Sequence, residues 1–525
     1  MNSVPLITRA IGTSGIATRI ETEMAKQVGR PRQLTVLALL VGIAVSLSRH
    51  GKVRLREVAP LLNDLPRSQR TALGLTGPVE PHNVYYLWSQ VNKALAPTDP
   101  NNEQHCKLSQ KLLDDLSDAL LDVTLAGMPR DTRVVMDDTA VETWGRRRAI
   151  KSDKDARQYR DRGRRIDTDA RHGHRTPTAV ADTDKLYGYH VTALGQSCGA
   201  NIFERIRLRA ANASPAPAGV ALLTDTVNAR ERAGMSGIDA VLADRGFTYA
   251  KEQSWATPLR LLGIANIQDM HPLDKRFVTS GRGYDIVDGT PHCHRMPTRL
   301  RKLTRPTNLS QAPLTANPTK KEQEAHAERA QQVAQFDADV AEREKYAFER
   351  HGKTANGERW SCPAKVGKVL CEGCPLAVPA AEDAPTIVDP PLMPPAQLRK
   401  ERPACAQQTI LIAWNENEKH RQPHAWGTAE WRSTYAARTR IEGAFGTVKN
   451  RGGLVKGWIH VLGLVKTSLM TMLLFAMHNL RVRAANGHHL PEGPEAIKVD
   501  DELLVDPDTG EVLEHVERRE PPART

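Results

Sequence analysis

The chain has 525 residues, long enough for two to four domains and a sizeable core, which excludes a minimal single-core module. Its formal net charge is +12 with a sequence pI near 9.4, and the surplus is uneven: from residue 489 onward 11 acidic residues face 4 Lys and Arg, leaving 12 + 7 = +19 on the rest. A basic body points to a polyanionic partner, nucleic acid or an acidic membrane surface, while seven cysteines in this length argue against a disulfide framework.

Residues 1–10 lack the charged-then-apolar pattern of a signal peptide, so the expected compartment is the cytoplasm. Residues 34–47 are apolar, but about 14 residues fall short of the roughly 20 that span a bilayer, and no membrane partner is expected. Residues 33–128 read as helical, with apolar runs at 34–47, 55–62, 84–95 and 108–125 separated by turn signals near Pro66 and at 97–101. Residues 1–130 are accordingly expected to be a helical domain, a scaffold or a DNA-binding unit, though no clean helix-turn-helix pattern appears.

Arg133 to Val141 reads as a short strand of β-branched residues ending on Asp137 and Asp138. From residue 146 to 175 there are 12 Lys and Arg against 5 Asp, with almost no aliphatic residue, which reads as a solvated loop or a phosphate-contacting one. Strands are expected at 187–194 and 202–208, a helix at 217–230, a strand at 238–243 running into Asp244, and a short strand at 264–267. The separation of 198 residues from Asp244 to Glu442 exceeds any single sheet connection, so an inserted domain is expected. It opens on Gly- and Asp-rich turns at 281–289, contains a charged helix at 320–350 with a thin ridge of Val333, Phe336 and Val340, and ends in the Pro-rich stretch 375–395. Residues 461–482 are strongly apolar and read as a core helix, and the acidic tail from 489 as disordered.

Residues 433–449 read as one helix, capped by Ser433 and stopped at Gly452 and Gly453, with Ala437, Ile441, Ala444 and Val448 as its buried stripe. At about 100° per residue, Tyr435, Arg438, Glu442 and Lys449 fall on one narrow face beside that stripe, and Arg440 points away. Taken alone, Arg438 and Glu442 are an ordinary pair four apart, worth about 0.3–0.5 kcal/mol.

The full spacing Tyr-x2-Arg-x3-Glu-x6-Lys resembles the signature of the DDE transposases of bacterial insertion sequences that carry the YREK motif. The run Asp137-x-Thr139-x-Val141 is similar to the first-aspartate motif of that family, and Ala243-Asp244-Arg245-Gly246-Phe247 to the second. The resemblance covers roughly residues 131–263 and 410–482. It implies a mixed α/β fold: a ribonuclease H-like catalytic core in two parts, 131–268 and 410–485, interrupted by an insertion domain at 269–409 with a cysteine cluster, preceded by the helical domain 1–130 and followed by the tail 486–525.

The resemblance implies Asp137, Asp244 and Glu442 as catalytic carboxylates, and their hard oxygens suit two Mg²⁺ or Mn²⁺ ions. It also implies Arg438 and Lys449 on DNA phosphates, with Tyr435 as a further phosphate donor. The reaction would be cleavage at transposon ends and strand transfer into target DNA, in a homodimeric complex with DNA in the bacterial nucleoid. Alternatives are a ribonuclease H-like nuclease without strand transfer, a domesticated DNA-binding protein, and a zinc-binding regulator. Cys371-x2-Cys374, with nearby Cys362 and more distant Cys405, suits one structural Zn²⁺. His292, Cys293 and His294 compete for the fourth place, and reduced core cysteines are an equal reading. Trp255, Trp360, Trp414, Trp426 and Trp431 are all eligible to stack a flipped base.

Overall fold

The computed structural model describes residues 4–25, 33–50, 54–145, 166–175, 184–270, 277–304, 306, 314, 318–388, 394–452 and 460–490. The chain divides into two compact units, residues 1–131, 136–236 and 440–525 in the first and residues 132–135 and 237–439 in the second. No helix among the described residues is long and apolar enough to cross a membrane.

The first unit opens with helices α1 (Val4–Thr13), α2 (Ile16–Ala25), α3 (Val36–His50), α4 (Leu55–Asn63), α5 (Arg67–Ala72), α6 (Pro81–Leu95) and α7 (Glu103–Leu125). Helices α1 and α2 were not expected from the sequence. Each is only 10 residues long, and the Gly15 turn between them, at φ +69°, interrupts the period, yet Ile7, Ile11, Ile20 and Met24 are all buried. Thr35 caps α3, its hydroxyl accepting from the Ala38 amide at 3.0 Å, and Asn102 caps α7, accepting from the amides of Gln104 and His105.

The main sheet has the order β2 (Arg171–His174), β3 (Lys185–Gln196), β1 (Arg133–Glu142), β5 (Ala240–Ala243), β6 (Ala265–Gln268), with β4 (Phe203–Ala210) also paired to β3. Strand β1 is the segment that both units share. In the first unit β2 occupies the start of one edge of β3 (Arg171↔Gly188 to His174↔Lys185) and β4 the rest (Tyr189↔Ala210 to Gly195↔Phe203), both antiparallel. Gly188 has to be a glycine, because a Cβ there would collide with the Val141 carbonyl. In the second unit β5 and β6 are parallel, Ala240↔Ala265 to Ala243↔Gln268.

Strand β4 is covered on both faces, and its alternation shows by what. Phe203 packs on Phe475 (4.6 Å) and His478 (5.1 Å) of the apolar helix Leu464–Ala485. Arg205 and Arg207 turn to α7, where Asp118 and Asp122, four residues apart, take them at 2.7–2.8 Å. Glu204 meets Arg230 of the crossover helix Pro215–Arg232, together with Arg130 and Gln196. Asn479 is fully buried in the apolar helix but satisfied: it bonds the Phe203 amide (2.9 Å), the Phe203 carbonyl (2.8 Å) and the Thr124 hydroxyl (3.0 Å). Left unpaired, one such buried group would cost about 1–3 kcal/mol.

The basic stretch departs from the expected loop where it is described. Residues 171–174 form β2, and Ile166, Asp167 and Ala170 are buried. Asp167 accepts from Thr143 (2.7 Å) and Tyr189 (2.8 Å), which fixes the segment to β1 and β3. Residues 146–165 and the tail 491–525 lie outside the described residues.

The second unit is richer in strands than its turn-like sequence implied. It holds the antiparallel sheet β7 (Phe277–Thr279), β8 (Tyr284–Val287), β9 (Thr290–Cys293). A second sheet is ordered β10 (Glu349–Thr354), β11 (Gly357–Ser361), β14 (Ile410–Ala413), and a parallel pair joins β12 (Leu370–Cys371) to β13 (Thr386–Ile387). The charged helix is Lys320–Lys345, with a complete Thr319/Glu322 capping box, and Phe336, Val340 and Arg343 are its buried face. Tyr284, Ile286, Trp360, Ile410 and Ile412 share one apolar core with Cys293.

Candidate active site

The stretch 433–449 is not one helix. The structure has a helix Ala429–Ala436, capped by Thr428 rather than Ser433, then a turn, then a helix Thr439–Gly452. The break is made by bonds to the third residue back, Ala437 N to Thr434 O (3.3 Å) and Arg438 N to Tyr435 O (3.0 Å), which tighten the last turn and end the α register. The common face computed for all four side chains therefore fails. Tyr435 and Arg438 belong to the second unit, Glu442 and Lys449 to the first. Glu442 and Lys449, seven apart on one helix, still lie about 20° from each other. Glu442 is now in the first turn, where the positive helix terminus favours a carboxylate.

In the first unit, β1 does not stop at its carboxylates but continues to Glu142. Asp137 is buried, its Oδ1 accepting from the Asp138 amide at 2.8 Å. Its charge acts on Lys449: burial pushes the ammonium below the ordinary lysine range, Asp137 pulls it back up, and Arg175 lowers it further. Asp138 points elsewhere and pairs with Arg209 of β4. Arg175 is held by Glu142 at 2.9 Å. His190 was not singled out from sequence, yet it stands in this field. Burial holds its pKa low, with Asp138 opposing and Arg209 and Lys449 adding to the effect. Its only signal was a histidine flanked by strand residues, which is no signal at all. The helix carrying Glu442 and Lys449 is seated by Ile441, Ala444, Phe445 and Val448, with Phe445 stacked on Phe203 at 5.4 Å. Arg440 donates to the Gly199 carbonyl.

In the second unit, all four residues of β5 are buried, and Asp244 follows as the cap of the short helix Arg245–Thr248, its Oδ1 accepting from the Arg245 amide at 2.6 Å. Tyr435 donates to the carbonyl of Ala243, the residue before Asp244, at 3.4 Å. Arg438 lies over the Tyr435 ring at 5.7 Å, so these two and Asp244 share one locality. Trp255, Trp360, Trp426 and Trp431 are buried and Trp414 donates to the carbonyls of Thr354 and Ala355, whereas Trp144, not among the eligible residues, stacks on His460 at 4.9 Å.

Five of the seven cysteines, Cys293, Cys362, Cys371, Cys374 and Cys405, lie in the second unit. Cys362 is pushed up to about 12 by burial, with Cys405 and Cys371 adding, and Cys371 to about 11, with Cys374 and Cys405 adding. Buried Cys293 feels Cys362, Cys405 and Cys371, and His294 donates from Nδ1 to the Gly283 carbonyl (3.0 Å) and accepts at Nε2 from Arg402 (3.0 Å). His292 is fully enclosed and bonded to the Thr290 carbonyl. Among the described residues, no three His, Cys, Asp or Glu side chains are arranged as a ready cage for a metal ion, carboxylate or thiolate. Hard oxygens of Asp137, Asp244 and Glu442 are nonetheless the donor type that a hard divalent cation takes.

Residues 392–483 match the family described as the transposase DDE domain, a segment that includes Tyr435, Arg438, Glu442 and Lys449. That segment is similar to the catalytic domain of enzymes of DNA transposition, and domains of this kind use divalent metal ions. No curated protein matches the chain. Among solved structures, it is similar to a piggyBac transposase synaptic complex with hairpin DNA at 7% identity and TM-score 0.38, over 93% of this chain and 77% of that one. Likeness at that level establishes neither a shared fold nor a shared mechanism.

Proposed function

We propose that the chain is the transposase of a bacterial insertion sequence with the YREK arrangement, cutting DNA at the element's ends and joining them to target DNA as a homodimer in the nucleoid. The observation that carries this reading is the helix Thr439–Gly452, which bears Glu442 and, seven residues on, Lys449 within the field of buried Asp137. It is supported by β4 lying antiparallel to β3 in the first unit and β5 parallel to β6 in the second, pairings that a ribonuclease H-like core contains. In this reading residues 269–409 are the insertion and 1–130 a DNA-contacting helical domain.

Asp137, Asp244 and Glu442 would hold two Mg²⁺ or Mn²⁺ ions. Such ions supply an activated hydroxyl and stabilise the leaving oxygen of a phosphodiester. Lys449, whose charge Asp137 favours against burial, would offer a point charge to a DNA phosphate, and Arg438, over the Tyr435 ring, a planar fork to another. Glu442→Gln keeps the helix but removes the ionised ligand: divalent-dependent cleavage should vanish while DNA binding persists. Cleavage within a few-fold of wild type would overturn the assignment, and cleavage by wild type without end joining would leave a nuclease.

A separate proposal concerns Cys362, Cys371, Cys374 and Cys405 as ligands of one structural Zn²⁺. It is supported by the thiols lying within each other's fields.

A further inference from the structure

Strands β5 and β6 end side by side, Ala243 opposite Gln268, so that Asp244 and Asp269 are the next residues on adjacent parallel strands. Both ends are gripped by one run of chain, residues 419–438. The Gln422 side-chain oxygen accepts from the Gln268 amide and from the Trp431 indole, each at 2.9 Å, and Gln268 donates to the Lys419 carbonyl at 2.7 Å. The Trp426 indole donates to Asp269 at 3.1 Å. Trp431 stacks face to face on Tyr435, 4.8 Å apart and 12° from parallel, and Tyr435 reaches the Ala243 carbonyl. Arg438 completes the row above Tyr435. Trp431 and Tyr435, four residues apart, share one face of the helix Ala429–Ala436, and Arg438 follows in the turn that ends it.

A core that needed only volume would fill this space with Leu or Phe. Here Trp426, Trp431 and Tyr435 each carry a polar tip: Tyr435 spends it on the residue before Asp244, Trp426 on Asp269 at the end of the adjacent strand, and Trp431 on Gln422, which in turn holds Gln268. Gln422, Trp426, Trp431 and Asp269 are all buried, so these bonds form where water cannot replace them. The Trp426 ring also meets Phe336 at 6.1 Å, and its carbonyl accepts from Arg343 at 2.9 Å, which ties the row to the helix Lys320–Lys345.

We propose that Gln422, Trp431 and Tyr435 are positioning residues: a frame that fixes the backbone of Asp244 and the seat of Arg438. The proposal deepens the transposase reading and rests on it for the role of Asp244. The frame acts through the strand ends and touches no DNA through Gln422 or Trp431.

Two variants of the full chain test it. Gln422→Met keeps length but removes the acceptor shared by two donors; Tyr435→Phe keeps the stack but removes the hydroxyl. Hydrogen exchange is followed in metal-free, DNA-free protein. Gln422→Met should speed exchange about tenfold in peptides covering 240–248 and 265–270, the opening expected when one buried bond of about 1.4 kcal/mol is lost, while 185–210 stays within twofold. Tyr435→Phe should affect 240–248 alone. In DNA cleavage, Gln422→Met should raise the Mg²⁺ concentration for half-maximal rate several-fold and lower the maximal rate less. Unchanged exchange at 240–248, or equal acceleration at 185–210, would overturn the frame and leave ordinary core packing. Asp244→Asn separates the two ideas: if it cleaves as wild type, the role of Asp244 falls whatever the exchange shows, and if it is dead while the frame variants behave as wild type, only the frame falls.

Discussion

Asp137 and Asp138 are adjacent on β1 but face different chemistry, and exchanging each for Asn should separate stability from catalysis. Asp138 is paired with Arg209, whose side chain is 11% exposed against 20% for Asp138. Breaking a fully buried pair costs about 3–5 kcal/mol, and one fifth exposure brings this to about 2 kcal/mol, since Arg209 keeps its bonds to Thr192 and Ala213. At about 2–4 °C per kcal/mol, Asp138→Asn should melt about 4–8 °C lower yet cleave DNA normally where it is folded. Asp137→Asn keeps the oxygen that accepts from the Asp138 amide and should melt within about 1 kcal/mol of wild type. If Asp137 is the metal-binding carboxylate we propose, the exchange removes several kcal/mol of transition-state stabilisation, so cleavage should fall about 10³-fold or more. The assay is divalent-dependent nicking of an end-containing duplex, run well below both melting midpoints. An active Asp137→Asn beside an inactive Asp138→Asn would place the reactive carboxylate on the Arg209 side and refute the assignment.

Burial lowers the Lys449 pKa from its ordinary 10.5, so the charge it offers DNA is lost on an alkaline limb below that value. Lys449→Arg should move the limb to higher pH in a cleavage-rate profile, and an unmoved limb would assign it to another group. Asp114 is pushed up to about 6 by burial, with Asp118 and Asp225 adding to the rise and Arg207, 3.5 Å away, and Gln110 opposing it. The folded chain then holds a proton that the unfolded chain releases near 3.8, so stability from this group falls as pH rises from about 4 to 6, by up to about 3 kcal/mol. Asp114→Asn should flatten that part of the urea-midpoint profile, and an unchanged slope would refute it. Zinc bound by the four cysteines must displace thiol protons that burial holds on, so its affinity should rise steeply between pH 6 and 8; less than about half an equivalent in purified protein would end the zinc reading.

The strands of the main sheet were readable because β-branched and apolar runs set them off: β1, β3, β4, β5 and β6 fall on the runs near 133–141, 187–194, 202–208, 238–243 and 264–267. Asp167 was not readable. It sits among arginines in a stretch whose composition denies it a core, and only the convergence of Thr143 and Tyr189 from two distant strands makes it an anchor. The same holds for the strand-rich second unit, where glycines read as turns but Tyr284, Ile286 and Val287 bury a strand between them.

The helix break at Ala437 teaches a narrower lesson. Nothing in Ser433 to Lys449 forbids a continuous helix: alanines favour one, and neither Gly nor Pro stands at the break. What ends it is tertiary, since Tyr435 is drawn onto Trp431 and the Ala243 carbonyl while Ile441, Ala444 and Phe445 are drawn into another core. A motif can therefore keep its spacing for reasons that angular phase does not express. Glu442 and Lys449 keep their phase because one helix carries both; Tyr435 and Arg438 keep theirs on the turn before. The break also moves Glu442 from mid-helix, where a carboxylate meets no net field, to a first turn, where the amide ends favour its charge by about 0.3–1 kcal/mol. A substitution that healed the break would return Glu442 to mid-helix and remove that favourable field, which makes the interruption itself a test of how the carboxylate is held.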